Sequence, residues 1–75
     1  MNDLSKVIEE SEKFLRENEG AERCRIVNVI EFTDIVTQND LAEKVKVRDF
    51  KIDGTPLTQA YVELNGEYVY ATVIQ

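Results

Sequence analysis

Residues 57–75 have the sequence LTQAYVELNGEYVYATVIQ, which decides the fold more firmly than any other stretch of the chain. At its centre lies Asn65-Gly66, and both residues tolerate a positive φ, so the pair favours a two-residue type I′ turn. The flanks are rich in apolar, β-branched and aromatic residues, which favour strands. The stretch therefore predicts a β-hairpin, with one strand over 57–64 and the other over 67–75.

An amphipathic helix is predicted near the start of the chain. Apolar residues recur there at steps of three and four, as on one face of a helix. They are Leu4, Val7, Ile8, Phe14 and Leu15, with Ser11 on the same stripe. Asn2 or Asp3 is the expected N-cap, and Gly20 is expected to end the helix because glycine adopts the left-handed conformation.

Two further strands are predicted between the helix and the hairpin. Residues 23–36 are rich in β-branched side chains, and the polar residues 37–40 are expected to form a turn. Residues 41–52 alternate between apolar and basic side chains, but the alternation changes parity near Arg48, which predicts a bulge there. Asp53-Gly54 is expected to form the turn into the hairpin.

Together these elements predict a single α+β domain over residues 1–75, in which one N-terminal helix packs on a four-stranded antiparallel meander sheet. The order of the elements is similar to that of the cystatin-like and monellin-like folds, where a helix lies across a curled antiparallel sheet. The sequence contains no cystatin inhibitory motif. The resemblance therefore concerns element order alone, and a shared fold does not carry a function.

The composition argues against several classes of function. Fifteen acidic residues against nine basic ones give a net charge of −6. Such a charge disfavours direct binding to nucleic acids and to anionic membranes, because both carry negative charge themselves. The chain also has no histidine, which is the commonest general base and metal ligand. We therefore expect no enzyme activity, no catalytic residue, no metal and no cofactor.

The single cysteine indicates the compartment. Cys24 cannot form an intramolecular disulfide, and neither a signal peptide nor a membrane-spanning apolar run is recognised, so we expect a cytoplasmic protein. On a strand, Cys24 would share a face with Ile26 and Ile30, away from Arg23 and Arg25. This parity predicts a small buried hydrophobic residue rather than a reactive thiolate.

Apolar side chains on both faces of the predicted strands favour a protein partner. One helix can cover only one face of a sheet, and strands buried on both faces have this composition. Either the sheet curls tightly or a partner covers its second face. We expect a partner there, with Tyr61, Tyr68 and Tyr70 as its anchors, since aromatic residues are enriched at interfaces.

Charge is also segregated along the chain. Residues 44–51 hold four basic residues and one acidic residue, whereas residues 52–75 hold three acidic residues and no basic one. We expect Lys44, Lys46 and Arg48 to contact the partner, to pair with acidic residues on neighbouring strands, or to protect an exposed edge strand.

These features predict a non-catalytic protein-interaction module, such as a small inhibitor, adaptor or assembly factor, that binds through its sheet face or an edge strand. A homodimer formed by the same strands is one form of this prediction. The alternative is an acidic decoy whose carboxylates mimic nucleic-acid phosphates and block a DNA- or RNA-binding protein. Salt separates the two, because it weakens a charge decoy far more than an aromatic contact.

Overall fold

The computed structural model describes residues 4–75, so the expected N-cap at Asn2 or Asp3 lies outside the described residues. Within them, two helices and a 3₁₀ turn accompany a four-stranded sheet. The elements in chain order are α1 (Leu4–Glu19), β1 (Cys24–Ile26), α2 (Val29–Gln38), the 3₁₀ turn (Ala42–Lys44), β2 (Lys46–Ile52), β3 (Thr55–Leu64) and β4 (Glu67–Ile74). The α+β class and the N-terminal helix are confirmed.

Two of the predicted turns are found where the sequence places them, whereas Thr37 and Gln38 of the turn expected over 37–40 belong to the end of α2. Asn65 and Gly66 have φ values of +54° and +81°, and Asp53 and Gly54 have +52° and +83°. Two consecutive positive φ values define the type I′ turn, whose twist matches that of the flanking strands. Gly20 ends α1 with a φ of +69°, as expected of a left-handed cap.

The sheet is mixed, which corrects the predicted antiparallel meander. Its strand order is β1-β4-β3-β2. Only β2, β3 and β4 form an antiparallel meander, whereas β1 pairs parallel to β4, with Cys24 opposite Tyr68 and Ile26 opposite Tyr70. Parallel neighbours need a long crossover. Here that connection contains α2 and the other two strands.

Helix α2 replaces most of the strand predicted over residues 23–36. Asn28 is its N-cap, and the Asn28 Oδ1 atom accepts a hydrogen bond of 2.7 Å from the backbone N–H of Glu31. Such a cap satisfies one of the unpaired donors of the first helical turn. Phe32 then faces the sheet, together with Ile35 and Val36 one turn later. Tertiary burial of this stripe overrides the strand preference of its β-branched residues.

No bulge interrupts β2 near Arg48, which corrects a second expectation. The register with β3 runs unbroken from Lys46 opposite Tyr61 to Ile52 opposite Thr55. The apolar residues of β2 change parity for another reason. Val47 is apolar but points to a poorly covered part of the sheet, where it is 65% exposed.

The sheet lies between the two helices, so both of its faces are buried by this chain itself. Helix α1 covers a cluster of buried residues comprising Leu15, Ala21, Tyr61 and Tyr70. Helix α2 covers the opposite cluster, which comprises Val27, Phe32, Leu41, Val62, Val69 and Ala71. The inference that both faces need cover is correct, but the second layer is α2 and not a partner.

Candidate functional site

The three tyrosines predicted as anchors lie on the face that α1 covers. Tyr61 and Tyr70 are buried, and Tyr68 is half-buried beside them. Tyr61 meets the ring of Phe14 edge-on at 5.8 Å between centroids. Because Tyr61 and Tyr70 belong to the core of the monomer, they cannot reach a partner without displacing α1.

The hydroxyl groups of two tyrosines reach the acidic side of α1. Tyr61 donates a hydrogen bond of 3.2 Å to Glu19, and Tyr70 donates one of 3.4 Å to Glu12. Burial is the largest cause that raises the pKa of both hydroxyls, and the neighbouring carboxylates raise it further. The tyrosines are therefore neutral structural donors in the folded protein.

Alkaline pH is expected to destabilise the fold through Tyr70. Its pKa is raised above the ordinary value of about 10. The folded state therefore holds the phenolic proton more tightly than the unfolded state. This stabilisation is fully present below about pH 10 and is lost as the pH rises through the folded pKa. Urea midpoints should fall above pH 10, and Tyr70→Phe should show a shallower fall. Equal slopes for the two proteins would contradict this assignment.

Three basic residues were predicted to contact a partner or to protect an edge. Two of them, Lys46 and Arg48, connect β2 to α1 instead. Lys46 lies 3.2 Å from a carboxylate oxygen of Glu19, which raises the pKa of the lysine. The Arg48 guanidinium lies between two rings, at 3.8 Å from the centroid of Phe14 and 4.0 Å from that of Phe50. Such stacking suits the planar guanidinium. Lys44 lies apart from these contacts, exposed in the 3₁₀ turn.

A buried polar network beneath α1 was not predicted. The side-chain amide of Gln59 donates to the hydroxyls of Ser11 and Thr72 and accepts a hydrogen bond of 2.9 Å from Arg48. Both N–H donors and the carbonyl oxygen of the amide therefore have hydrogen-bond partners, as the burial of a polar side chain requires. Ser11 on the apolar stripe of α1 was the only sequence signal for this network.

Cys24 is half-buried and packs beside the cluster under α1. Burial is the main cause that raises the pKa of its thiol, and Glu12 raises it further. Arg25 lies on the other face of the sheet, where it approaches Glu31 and Glu67. The thiol is therefore not activated by the flanking arginines, as the strand parity predicts.

An apolar groove of about 610 Å³ opens at the end of the molecule where α1 begins. It forms because α1 packs tightly at Ser11 and Leu15, which are fully buried, but leaves Leu4 51% exposed. Aliphatic residues from both helical and strand segments form most of its walls: Leu4, Val7, Ile26, Val27, Ile52, Leu57 and Ile74. None of the tyrosines or basic residues selected from the sequence lines this groove.

Polar side chains also line the groove. They are Asn28, Glu31, Asp53, Thr55 and Thr72. The two carboxylates are each near a cation: Asp53 lies 2.6 Å from the ammonium of Lys6, and Glu31 lies 3.8 Å from the guanidinium of Arg25. Both carboxylates remain more than half exposed. The site is thus an aliphatic cleft with a charged, solvated edge.

Within residues 4–75, no group of three or more cysteine and carboxylate side chains is arranged to hold a metal ion. Neither α1 nor α2 is long and apolar enough to cross a membrane.

Comparisons with other proteins leave the groove as the main guide to function. No protein-family model, no curated protein and no solved structure matches this chain.

Proposed function

We propose that this protein is a non-catalytic interaction module, and that its groove holds aliphatic side chains of a basic protein partner. The groove is the observation that carries the proposal. Its volume of about 610 Å³ and its mainly aliphatic lining are typical of a concave binding site.

Part of the apolar lining of the groove stays open to solvent, and this favours a protein over a small molecule. Ile74 and Leu4, which both line the groove, are 71% and 51% exposed. A small ligand in the cleft would leave such residues in water. A protein segment that crosses the cleft would cover them as well.

Charge complementarity favours a basic partner. The chain carries a net charge of −6. Four of its nine basic residues are engaged in ion pairs within the described residues: Lys6, Arg16, Arg25 and Lys46. Because Glu31 and Asp53 are themselves paired with Arg25 and Lys6, the attraction for a basic segment comes from the net negative charge of the whole chain.

The proposal is non-catalytic because the groove offers aliphatic contact and no buried acid or base. Catalytic carboxylates are usually desolvated, whereas Glu31 and Asp53 face solvent. We also propose that the protein acts in the cytoplasm, since Cys24, the only cysteine, is free.

Substitution at Ile74 tests the groove against a matched control. Random peptides displayed on phage would be selected on the wild type, and the affinity of enriched peptides would then be measured for Ile74→Lys and Val73→Lys. Val73 is the adjacent residue, lies on the opposite face of β4, and is 49% exposed. Both variants add one positive charge, so a difference between them reports the groove itself.

We expect enriched peptides that combine aliphatic residues with lysine or arginine. Their affinity should fall about tenfold or more for Ile74→Lys, a loss of about 1.4 kcal/mol, and should change less than about threefold for Val73→Lys. If both variants lose the same amount of peptide affinity, and the loss disappears in high salt, the acidic decoy is favoured and the groove is not the binding site. Selection of no peptide, or binding of small aliphatic compounds alone, would also contradict the proposal.

A further inference from the structure

The outer edge of β2 is the longer of the two edges of the described sheet. Strand β2 has seven residues and pairs with β3 on one side, whereas the other edge strand, β1, has three residues. An edge strand exposes backbone donors and acceptors that can pair with another chain. The side chains of β2 therefore decide whether this edge is protected.

The backbone groups that point outwards can be identified from Pro56. The Pro56 carbonyl accepts a hydrogen bond of 3.2 Å from the N–H of Gln75, so Pro56 directs its backbone towards β4. Lys51 lies opposite Pro56 and consequently directs its own backbone away from β3. Because this direction alternates along a strand, the N–H and C=O groups of Asp49 also point outwards.

The basic residues of β2 protect this edge only weakly. Lys46 and Arg48 are turned towards α1, where they contact Glu19 and Phe14. On the opposite face of the strand, the exposed charges are those of Asp49 and Lys51, which have opposite signs. Asp49 uses Oδ1 to accept hydrogen bonds from Thr58 and Gln75, and within residues 4–75 its Oδ2 accepts none.

We propose that β2 pairs antiparallel with β2 of a second copy of this chain, about a two-fold axis at Phe50. In this register Asp49 lies opposite Lys51 of the second copy, and the symmetry repeats the pair. The outward backbone groups of these residues form four hydrogen bonds. Phe50 lies opposite its own copy, and aromatic and opposite-charge pairs stabilise antiparallel strands. The result is one eight-stranded sheet with an isologous interface.

Charge selects this register among its neighbours. An axis at Arg48, Asp49 or Lys51 would place a charged residue directly opposite its own copy. Like charges in that position are destabilising. An axis at Val47 would place Lys46 opposite Arg48 of the second copy, which is also repulsive. The Phe50 register alone of these five opposes unlike charges and no like ones. An axis at Ile52 would also oppose Lys51 and Asp53, but it would carry the pairing into the Asp53-Gly54 turn, where the strand ends.

A charge swap tests this dimer. Sedimentation equilibrium would give the dimer dissociation constant of the wild type, of Asp49→Lys, of Lys51→Asp and of the protein with both substitutions. Each single variant places like charges opposite each other and should weaken the dimer about tenfold or more, whereas the double variant should return to within about threefold of the wild type. Asp34→Lys and Lys44→Asp make the same changes of charge at exposed positions outside β2. They should leave the constant unchanged.

Cross-linking tests the register independently. In a Cys24→Ser background, Phe50→Cys should form a disulfide-linked dimer on oxidation, because symmetric residues at the axis approach within disulfide distance. Asp49→Cys should not. The inference is overturned by a wild type that stays monomeric at millimolar concentration, by single variants that dimerise normally, or by a double variant that is not rescued. Ile74→Lys should leave the dimer intact, so this test is separate from that of the groove.

Discussion

Replacing Leu15 with alanine is expected to lower the free energy of unfolding by about 2 to 5 kcal/mol. Leu15 is fully buried where α1 crosses the sheet, in the cluster that contains Tyr61 and Tyr70. The substitution removes apolar contacts and leaves a cavity that the surrounding side chains fill only in part. A domain of this size has a total stability of about 4 to 11 kcal/mol, so the variant should be close to unfolding.

The same substitution at Leu4 is the matched control for Leu15. Leu4 belongs to the same helix but is 51% exposed at the groove. Urea unfolding should show a loss of only about 1 kcal/mol for Leu4→Ala, because about half of the Leu4 side chain stays in water after folding. Similar losses for the two variants would contradict the difference in burial between Leu15 and Leu4 at the two ends of α1.

Phe32→Ala is expected to destabilise the protein by about 3 to 5 kcal/mol, whereas Ile30→Ala should change its stability by less than about 0.5 kcal/mol. The contrast distinguishes a helix from a strand. Residues that are two positions apart share a face on a strand, but on a helix they point in nearly opposite directions. Phe32 is buried against the sheet, and Ile30 is 76% exposed.

Thermal and urea unfolding of both variants would measure this contrast. Comparable losses at the two positions would indicate a strand over residues 23–36, as the β-branched composition predicts. They would also remove the layer that covers the second face of the sheet.

The local signals of the sequence predicted the turns and α1 because those elements depend on neighbouring residues. Asn65-Gly66 requires two positive φ values, and the stripe that contains Leu15 has an unambiguous helical period. Residues 29–38 misled the prediction because valine and isoleucine favour strands. The signal that could have corrected it was Asn28 followed three residues later by Glu31, which is a capping-box pattern.

The functional surfaces depend on tertiary geometry, and the sequence showed them less well. Apolar side chains at both odd and even positions of the strands correctly indicated that both faces of the sheet are covered. Composition cannot say which segment covers which face. The groove lies where the burial of α1 decreases, from the fully buried Ser11 to the half-exposed Leu4. No periodicity encodes that decrease. The inward turn of Lys46 and Arg48 likewise depends on where Glu19 and Phe14 lie above β2.

Mapping the bound surface tests the proposed function most directly. Amide chemical shifts of the isotopically labelled protein would be followed during titration with a selected peptide. The groove predicts that the largest changes fall at lining residues near three strand ends, namely Ile26, Val27, Asn28, Ile52, Asp53, Thr55, Thr72 and Ile74. Changes concentrated along the β2 edge, or spread over exposed carboxylates and abolished by salt, would contradict the groove as the binding site.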